Sequence, residues 1–224
     1  MASKYSASVG RPKLSSKQIL EDAAAELFLE QTYTGTTIDQ VARRAGVSRN
    51  TFFNYFGSKS DLLWVDVDTA LDALDTALAS TASAAAVASP TPSESSMRTE
   101  TEPAPTFAAR IDTVCAALAE VADQHPHSRV PLGFTQRDIM GTSAELQASG
   151  LIRMSRATSL IERSINTPAA PSGTDALVVR SFAAAIVAAA AAGAMHWASA
   201  GVARGELSDD IERAIRPVCS GFGA

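Results

Sequence analysis

Arg49, Asn50, Thr51, Phe53, Asn54 and Tyr55 crowd into the stretch SRNTFFNYFGSKSDLL, residues 48–63. In this pattern they make neither a nucleophile nor a metal cage; what they can do is recognise bases. An arginine can bridge O6 and N7 of guanine, an asparagine can bridge N6 and N7 of adenine, and threonine or phenylalanine can touch a thymine methyl. The phenol of Tyr55 and the ammonium of Lys59 suit phosphate oxygens. Phe52 and Phe56 are four apart, so on a helix they share the opposite face and, with Val47, point to a core. A merely solvated face would leave the exposed rings of Phe53 and Tyr55 unexplained. The stretch is expected to turn two rings inward and its remaining side chains to double-stranded DNA.

The preceding residues supply what such a helix needs for positioning. A capping box at Ser15 and Gln18 opens a first helix with Ile19, Leu20, Ala23, Ala24, Leu27 and Phe28 at helical spacing, ending near Gln31. Thr36 or Thr37 caps a short second helix running to Ala45, with Ile38, Val41 and Ala42 inward. Gly46 supplies a left-handed turn residue, and Ser48, counted with the DNA-facing set, caps a third helix over 49–56. Two short helices joined by Ala45-Gly46-Val47-Ser48 form a helix-turn-helix pattern. A second capping box, Ser58 and Asp61, opens a long fourth helix with Asp66, Asp68, Asp72 and Asp75 on its wet side.

Charge agrees with a two-part molecule. The net charge of −5 hides a split: residues 1–60 hold eight Lys/Arg against five Asp/Glu, and the rest hold eleven against nineteen. A basic head on an acidic body lets DNA approach one end only. Hydrophobic residues at 46% suffice for a core, and no period-two pattern occurs, so the fold class is all-α. Cys115 and Cys219 have neither a CxxC spacing nor the numbers of a disulfide scaffold; they are expected as small buried thiols of a reducing compartment. The N-terminus lacks the apolar core of a secretory signal, and a cytoplasmic location is expected. Phe182–Val202 is long enough to span a bilayer, but its alanines, His196 and Ser199 suit a closely packed helix, and no membrane is expected. His125 and His127 flank a proline with no acidic or thiol neighbour, so no metal or other cofactor is expected. With no nucleophile elbow, P-loop or dinucleotide motif, the chain is not expected to be an enzyme.

Within residues 15–64, the run ILEDAAAELFLEQTYTGTTIDQVARRAGVSRNTFFNYFGSKSDLL (19–63) resembles the tetracycline-repressor (TetR) family of bacterial regulators. Thr32 stands where the family usually has glycine, and Phe53 where it often has tyrosine. The resemblance implies a helical homodimer in which each head reads half of a pseudo-palindromic operator, and it implies a phosphate contact from Thr37. Arg11 and Lys13, in the basic GRPK segment of a flexible arm over 1–14, look like the arms that some members lay in the adjacent minor groove. The head is placed at 15–58, the connecting helix at 59–82 and a low-complexity loop at 83–105. The ligand-binding and dimerisation domain occupies 106–224.

In the body, helices are expected at 106–124, 132–140, 143–166, 174–203 and 208–219. The last two suit a four-helix seam with a second copy. Phe107, Ile111, Cys115 and Leu118 share one helical face; with Phe134, Met140, Leu151, Met154 and Phe182 they are candidates to line a mostly apolar effector pocket. Arg137 and Arg153 are candidates for an anionic group of the effector. TFFNYFGSKSDLLWVDVD and the later segments HPHSR, AELQA and MHW look similar to the mycofactocin-system regulators, an actinobacterial branch of the family, which implies an acyl-CoA-like or other apolar effector. The expected function is a repressor released from its operator by a small molecule. A non-specific DNA-organising protein and a carrier or enzyme with a relict head are the alternatives. Loss of Lys59 is expected to weaken all DNA sites equally.

Overall fold

The helix expected to open the chain forms as α1 (Ser16–Gly35) and breaks where expected, at Gln31 and Thr32. The computed structural model describes residues 16–87, 105–126, 129–166 and 175–223, so the expected arm with Arg11 and Lys13 and the Ser15 cap lie outside the described residues. Among those described, every regular element is a helix. Leu20, Ala23, Ala24, Leu27 and Phe28 form the buried stripe of α1. At the break, Thr32 adopts φ 65° and ψ 165°, a conformation that costs a β-branched residue about 1–3 kcal/mol and glycine almost nothing. The buried Thr36 hydroxyl holds the break closed by donating to Thr32 O at 2.8 Å.

Thr37, rather than Thr36, caps α2 (Ile38–Arg44), forming a complete capping box with Gln40. Gly46 takes the left-handed conformation at φ 68°, and Ser48 caps α3 (Arg49–Phe53), beyond which helical hydrogen bonding continues to Phe56 N. Asp61 accepts from Ser58 N at 2.9 Å, as the second capping box requires, but the element it opens is a 3₁₀ turn, Ser60–Leu63. The connecting helix α4 starts only at Val65 and runs to Val87. The loop expected from residue 83 is thus helical through Val87, because a Ser-Ala-Ala-Ala run continues a helix at little cost once one is nucleated. Residues 88–104 of that expected loop lie outside the described residues.

The body holds α5 (Phe107–Asp123), α6 (Leu132–Thr135), α7 (Arg137–Met140), α8 (Ser143–Ile165), α9 (Ala176–Ser199) and α10 (Leu207–Phe222). The single helix expected over 132–140 is two, divided at Gln136, whose φ −109° and ψ 24° are not helical. The alanine-rich helix stops at Ser199, and Gly201 turns the chain at φ 62°. Helix α9 is long and apolar enough to cross a membrane by length and composition. In the fold, its Val179, Phe182, Ala183, Ile186 and Val187 sit in the body core with Ile111, Val114, Leu160 and Ile161. At Gly193 the α10 backbone comes so close that a Cβ would lie 2.7 Å from Asp210 O, so the α9–α10 crossing requires glycine there.

One expectation fails outright. Cys115 of α5 and Cys219 of α10 are joined as a disulfide, with Cα atoms 7.2 Å apart. Their separation of 104 residues hid the pairing in the sequence; only the packing of α10 along α5 brings them together.

Both the strained break and the bridge can be tested by substitution. Thr32→Gly is expected to stabilise the protein by about 1 kcal/mol, because relief of the strained backbone outweighs the added freedom of the unfolded chain. A higher urea midpoint would show it. Reduction of the disulfide, or Cys115→Ser, is expected to cost about 2–5 kcal/mol, since the bridge closes a long loop in the unfolded chain; the check is a denaturant melt with and without reductant.

Candidate nucleic-acid interface and its connection to the body

Helix α3 is pinned from within. Phe52 is fully buried and Phe56 nearly so, and their centroids lie 5.5 Å apart in the head core with Leu20, Leu27, Phe28 and Val41. Helix α2 beneath it is tied to α1 by Arg44, which donates to Glu30 Oε1 and Oε2 at 3.0 and 2.7 Å and to Glu26 Oε2 at 3.0 Å. With the helix so fixed, Arg49, Asn50, Phe53, Asn54 and Tyr55 are all exposed, the two rings at 45% and 46%. All five side chains are therefore open to solvent.

The two hydroxyls at the start of α3 serve the helix itself. Ser48 Oγ accepts from Thr51 N at 3.0 Å and shares a hydrogen bond with Thr51 Oγ1 at 2.8 Å. Thr37 Oγ1 donates to Gln40 Oε1 at 2.9 Å within its capping box. Arg49 reaches back to Asp39 of α2 and lies over the Phe53 ring.

Lys59 has a role its type did not suggest. Its Nζ donates to Tyr33 O at 2.6 Å and Thr36 O at 2.7 Å and stands 4.1 Å from the centroid of the Tyr33 ring. Two of its three donors thus cap carbonyls at the end of α1, and burial pulls its pKa below the usual lysine value. The sequence reading, which gave the ammonium to phosphate, missed this clamp: an ordinary lysine after a loop carries no mark of an internal carbonyl partner.

The head core does not close on itself. Met140 of α7 is fully buried in it, and Phe134 and Leu146 pack against it. Trp64, between the head and α4, meets the Phe134 ring at 5.0 Å and lies under the Arg153 guanidinium at 5.2 Å. Its indole N–H donates to Ser149 Oγ at 2.7 Å. Gly150 lets α8 approach this ring, since a Cβ there would stand 3.2 Å from it. Arg153 donates to Asp61 at 3.0 Å and to both oxygens of Asp68 at 3.0 and 3.2 Å. Arg129 bridges Glu21 of α1 and Asp66 of α4.

These contacts redraw the expected effector pocket. Ile111 and Phe182 are fully buried in the body core, with Phe107, Cys115 and Leu118 packed against it and Phe107 and Phe182 rings 6.3 Å apart. Phe134 and Met140 belong instead to the head cluster. Leu151 is 74% exposed and Met154 38%, on the outer side of α8, and Arg137 is exposed. Arg153 is occupied by two aspartates. The candidates therefore do not converge on one cavity, because helical spacing fixed a face for each but not which helix it would meet. A cleft of about 460 Å³ lies elsewhere, between α1 and the 129–133 segment, lined by Glu21, Phe28, Leu63, Asp66, Arg129 and Met140.

Two family models match this sequence: bacterial regulatory proteins, tetR family, over residues 20–63, and the MftR C-terminal domain over 108–223. The chain is similar to the Mycobacterium tuberculosis protein named mycofactocin biosynthesis transcriptional regulator MftR, 37% identical over 70 residues. It is also similar to the HTH-type transcriptional regulator HbdR of Aromatoleum sp., 45% identical over 53 residues. The aligned stretches cover 31% and 24% of this chain, and 35% and 23% of those relatives. Among solved structures, NalD, the secondary repressor of the MexAB-OprM multidrug efflux pump in Pseudomonas aeruginosa, aligns with a TM-score of 0.47 at 18% identity, covering 92% of this chain and 95% of that one.

Arg153→Ala would leave Asp61 and Asp68 without their cation beside Trp64. It is expected to lower unfolding stability by about 1–3 kcal/mol, discounted from a fully buried pair because the aspartates keep some solvent. The corresponding loss should be visible in a urea melt, whereas Arg137→Ala, at an exposed position, should shift the midpoint little.

Proposed function

The chain belongs to the tetR family of bacterial regulatory proteins, and from that premise we propose that it is a homodimeric repressor that a small molecule releases from a pseudo-palindromic operator. The observation that carries this reading is the face of α3: Arg49, Asn50, Asn54, Phe53 and Tyr55 exposed together on a helix whose other side is locked by Phe52 and Phe56. A helix so presented enters a major groove, where its arginine and asparagines meet base edges and Tyr55 meets phosphate. Thr51, Ser48 and Thr37 line the start of the same surface, with Thr37 at the phosphate side. The partner, chromosomal DNA, gives the protein a cytoplasmic place of work.

Dimerisation would use α9 and α10. The outer side of α9 exposes Leu177, Ala184, Ala188 and Ala192, an apolar stripe that two copies can share at close approach. An effector would have to open the packed core around Phe107, Ile111, Leu118 and Phe182, whose apolar side chains suit an acyl-bearing or other apolar molecule. Whatever moves α8 there also moves Ser149 and Arg153 against Trp64, so the separation of the two heads responds. Preferential binding of the effector to the form whose heads cannot span both half-sites lowers operator affinity.

The test is selection of bound duplexes from a random pool at a fixed salt concentration. The expected result is a two-fold related consensus whose half-sites lie about one helical turn (~10 base pairs) or a multiple apart. Enrichment of no sequence by a folded dimer would overturn the reading.

A further inference from the structure

We propose that Asp39 is a positioning residue that sets the base specificity of Arg49: it holds one nitrogen of the guanidinium and leaves the other two-donor edge to read a guanine. The inference rests on α3 being the base-reading helix. Both Asp39 carboxylate oxygens accept from the same nitrogen, Arg49 Nη1, each at 2.9 Å. The Arg49 guanidinium carbon also stands 5.5 Å from the centroid of the Phe53 ring. A guanidinium is planar and carries five donors, two of them on Nη1. With Nη1 turned to the carboxylate and one face against a ring, rotation about the last bonds of the side chain is restrained. The Nε and Nη2 donors remain, and side by side they form a fork that matches O6 and N7 of guanine.

The arrangement depends on the two short helices. Asp39 lies in the first turn of α2, and Arg49 is the first residue of α3. The turn through Gly46 brings these helix starts together, so the carboxylate reaches the arginine across a ten-residue separation. The Arg49 side chain is 56% exposed and Asp39 60%, so water competes for the pair in the free protein and the contact does little for stability. Its value lies in orientation. An unheld arginine swings between guanine and any nearby phosphate, gaining affinity for all DNA alike. A held one loses less freedom on binding and can satisfy only a base with two acceptors in the right place. Pairing also neutralises a carboxylate that would otherwise repel the phosphates beside α2.

The experiment compares wild type, Asp39→Asn and Arg49→Ala by selection from random duplexes and by binding to the selected operator across a salt series. Asp39→Asn keeps the size of the side chain, and its thermal melt is checked against wild type. The expected result is a position in each half-site that is guanine for wild type, loses its preference with Arg49→Ala, and has its preference reduced about 3- to 10-fold with Asp39→Asn. Affinity of the Asn variant for random DNA should rise, with a salt slope steeper by about one per head, because an interfacial negative charge has gone. A role in folding alone would weaken every site equally and leave the base profile unchanged. Guanine preference unchanged or sharpened by Asp39→Asn would overturn the inference while leaving the DNA-reading function intact. A wild type that selects no sequence would overturn that function itself.

Discussion

Trp64 is the side chain on which the position of the exposed α3 face depends. It sits where the head ends and α4 begins, and two helices of the body surround its ring: α6 through Phe134, and α8 through Gly150 against the six-membered ring, Arg153 over the face and Ser149 on the indole N–H. A head of this size has little interior of its own, because small domains bury a small share of their surface. The shortfall is met from outside. Met140 fills the head core, and Leu63, in that core, rests against Gly133 so closely that a Cβ there would stand 3.0 Å from it. Head and body therefore share packed side chains, and α8 cannot shift without repacking the base of the head.

Charge is arranged along the same boundary. Four aspartates of α4 read as a solvated side in the sequence, yet each meets an arginine: Asp66 with Arg129, Asp68 with Arg153, Asp72 with Arg156, and Asp75 with Arg163 at 3.5 Å. The outer pairs are exposed and contribute at most about 1 kcal/mol apiece. Arg153, with its side chain only 12% exposed and two carboxylates to satisfy, is the one that fixes register between α4 and α8. The seam sets arginines against the aspartates that an acidic body carries close to the head, so a share of the charge is neutralised where the two meet.

Local signals were sufficient wherever the answer lay within a few residues of the question. The helix caps at Thr37 and Ser48, the break near Gln31, the left-handed Gly46 and the division of the third helix into Phe52/Phe56 inside and Phe53/Tyr55 outside all follow from spacing, side-chain type and backbone sterics. The all-helical class followed from the absence of a period-two pattern. These properties are set by hydrogen bonds and periodicities that close within one or two helical turns, so they survive in the sequence.

What the tertiary structure decided was every contact whose partner is distant in the chain. Lys59 on the carbonyls of Tyr33 and Thr36, Met140 in the head core, Arg153 on Asp61 and Asp68, and the Cys115–Cys219 bridge all join segments that no periodicity relates. The expected pocket failed for the same reason: a helical repeat says which face of α8 carries Leu151 and Met154, but whether that face meets α5 or solvent depends on how the helices cross. Residue type determined which side chains the third helix offers to solvent; the packing of α8 against Trp64 determined how that face is held.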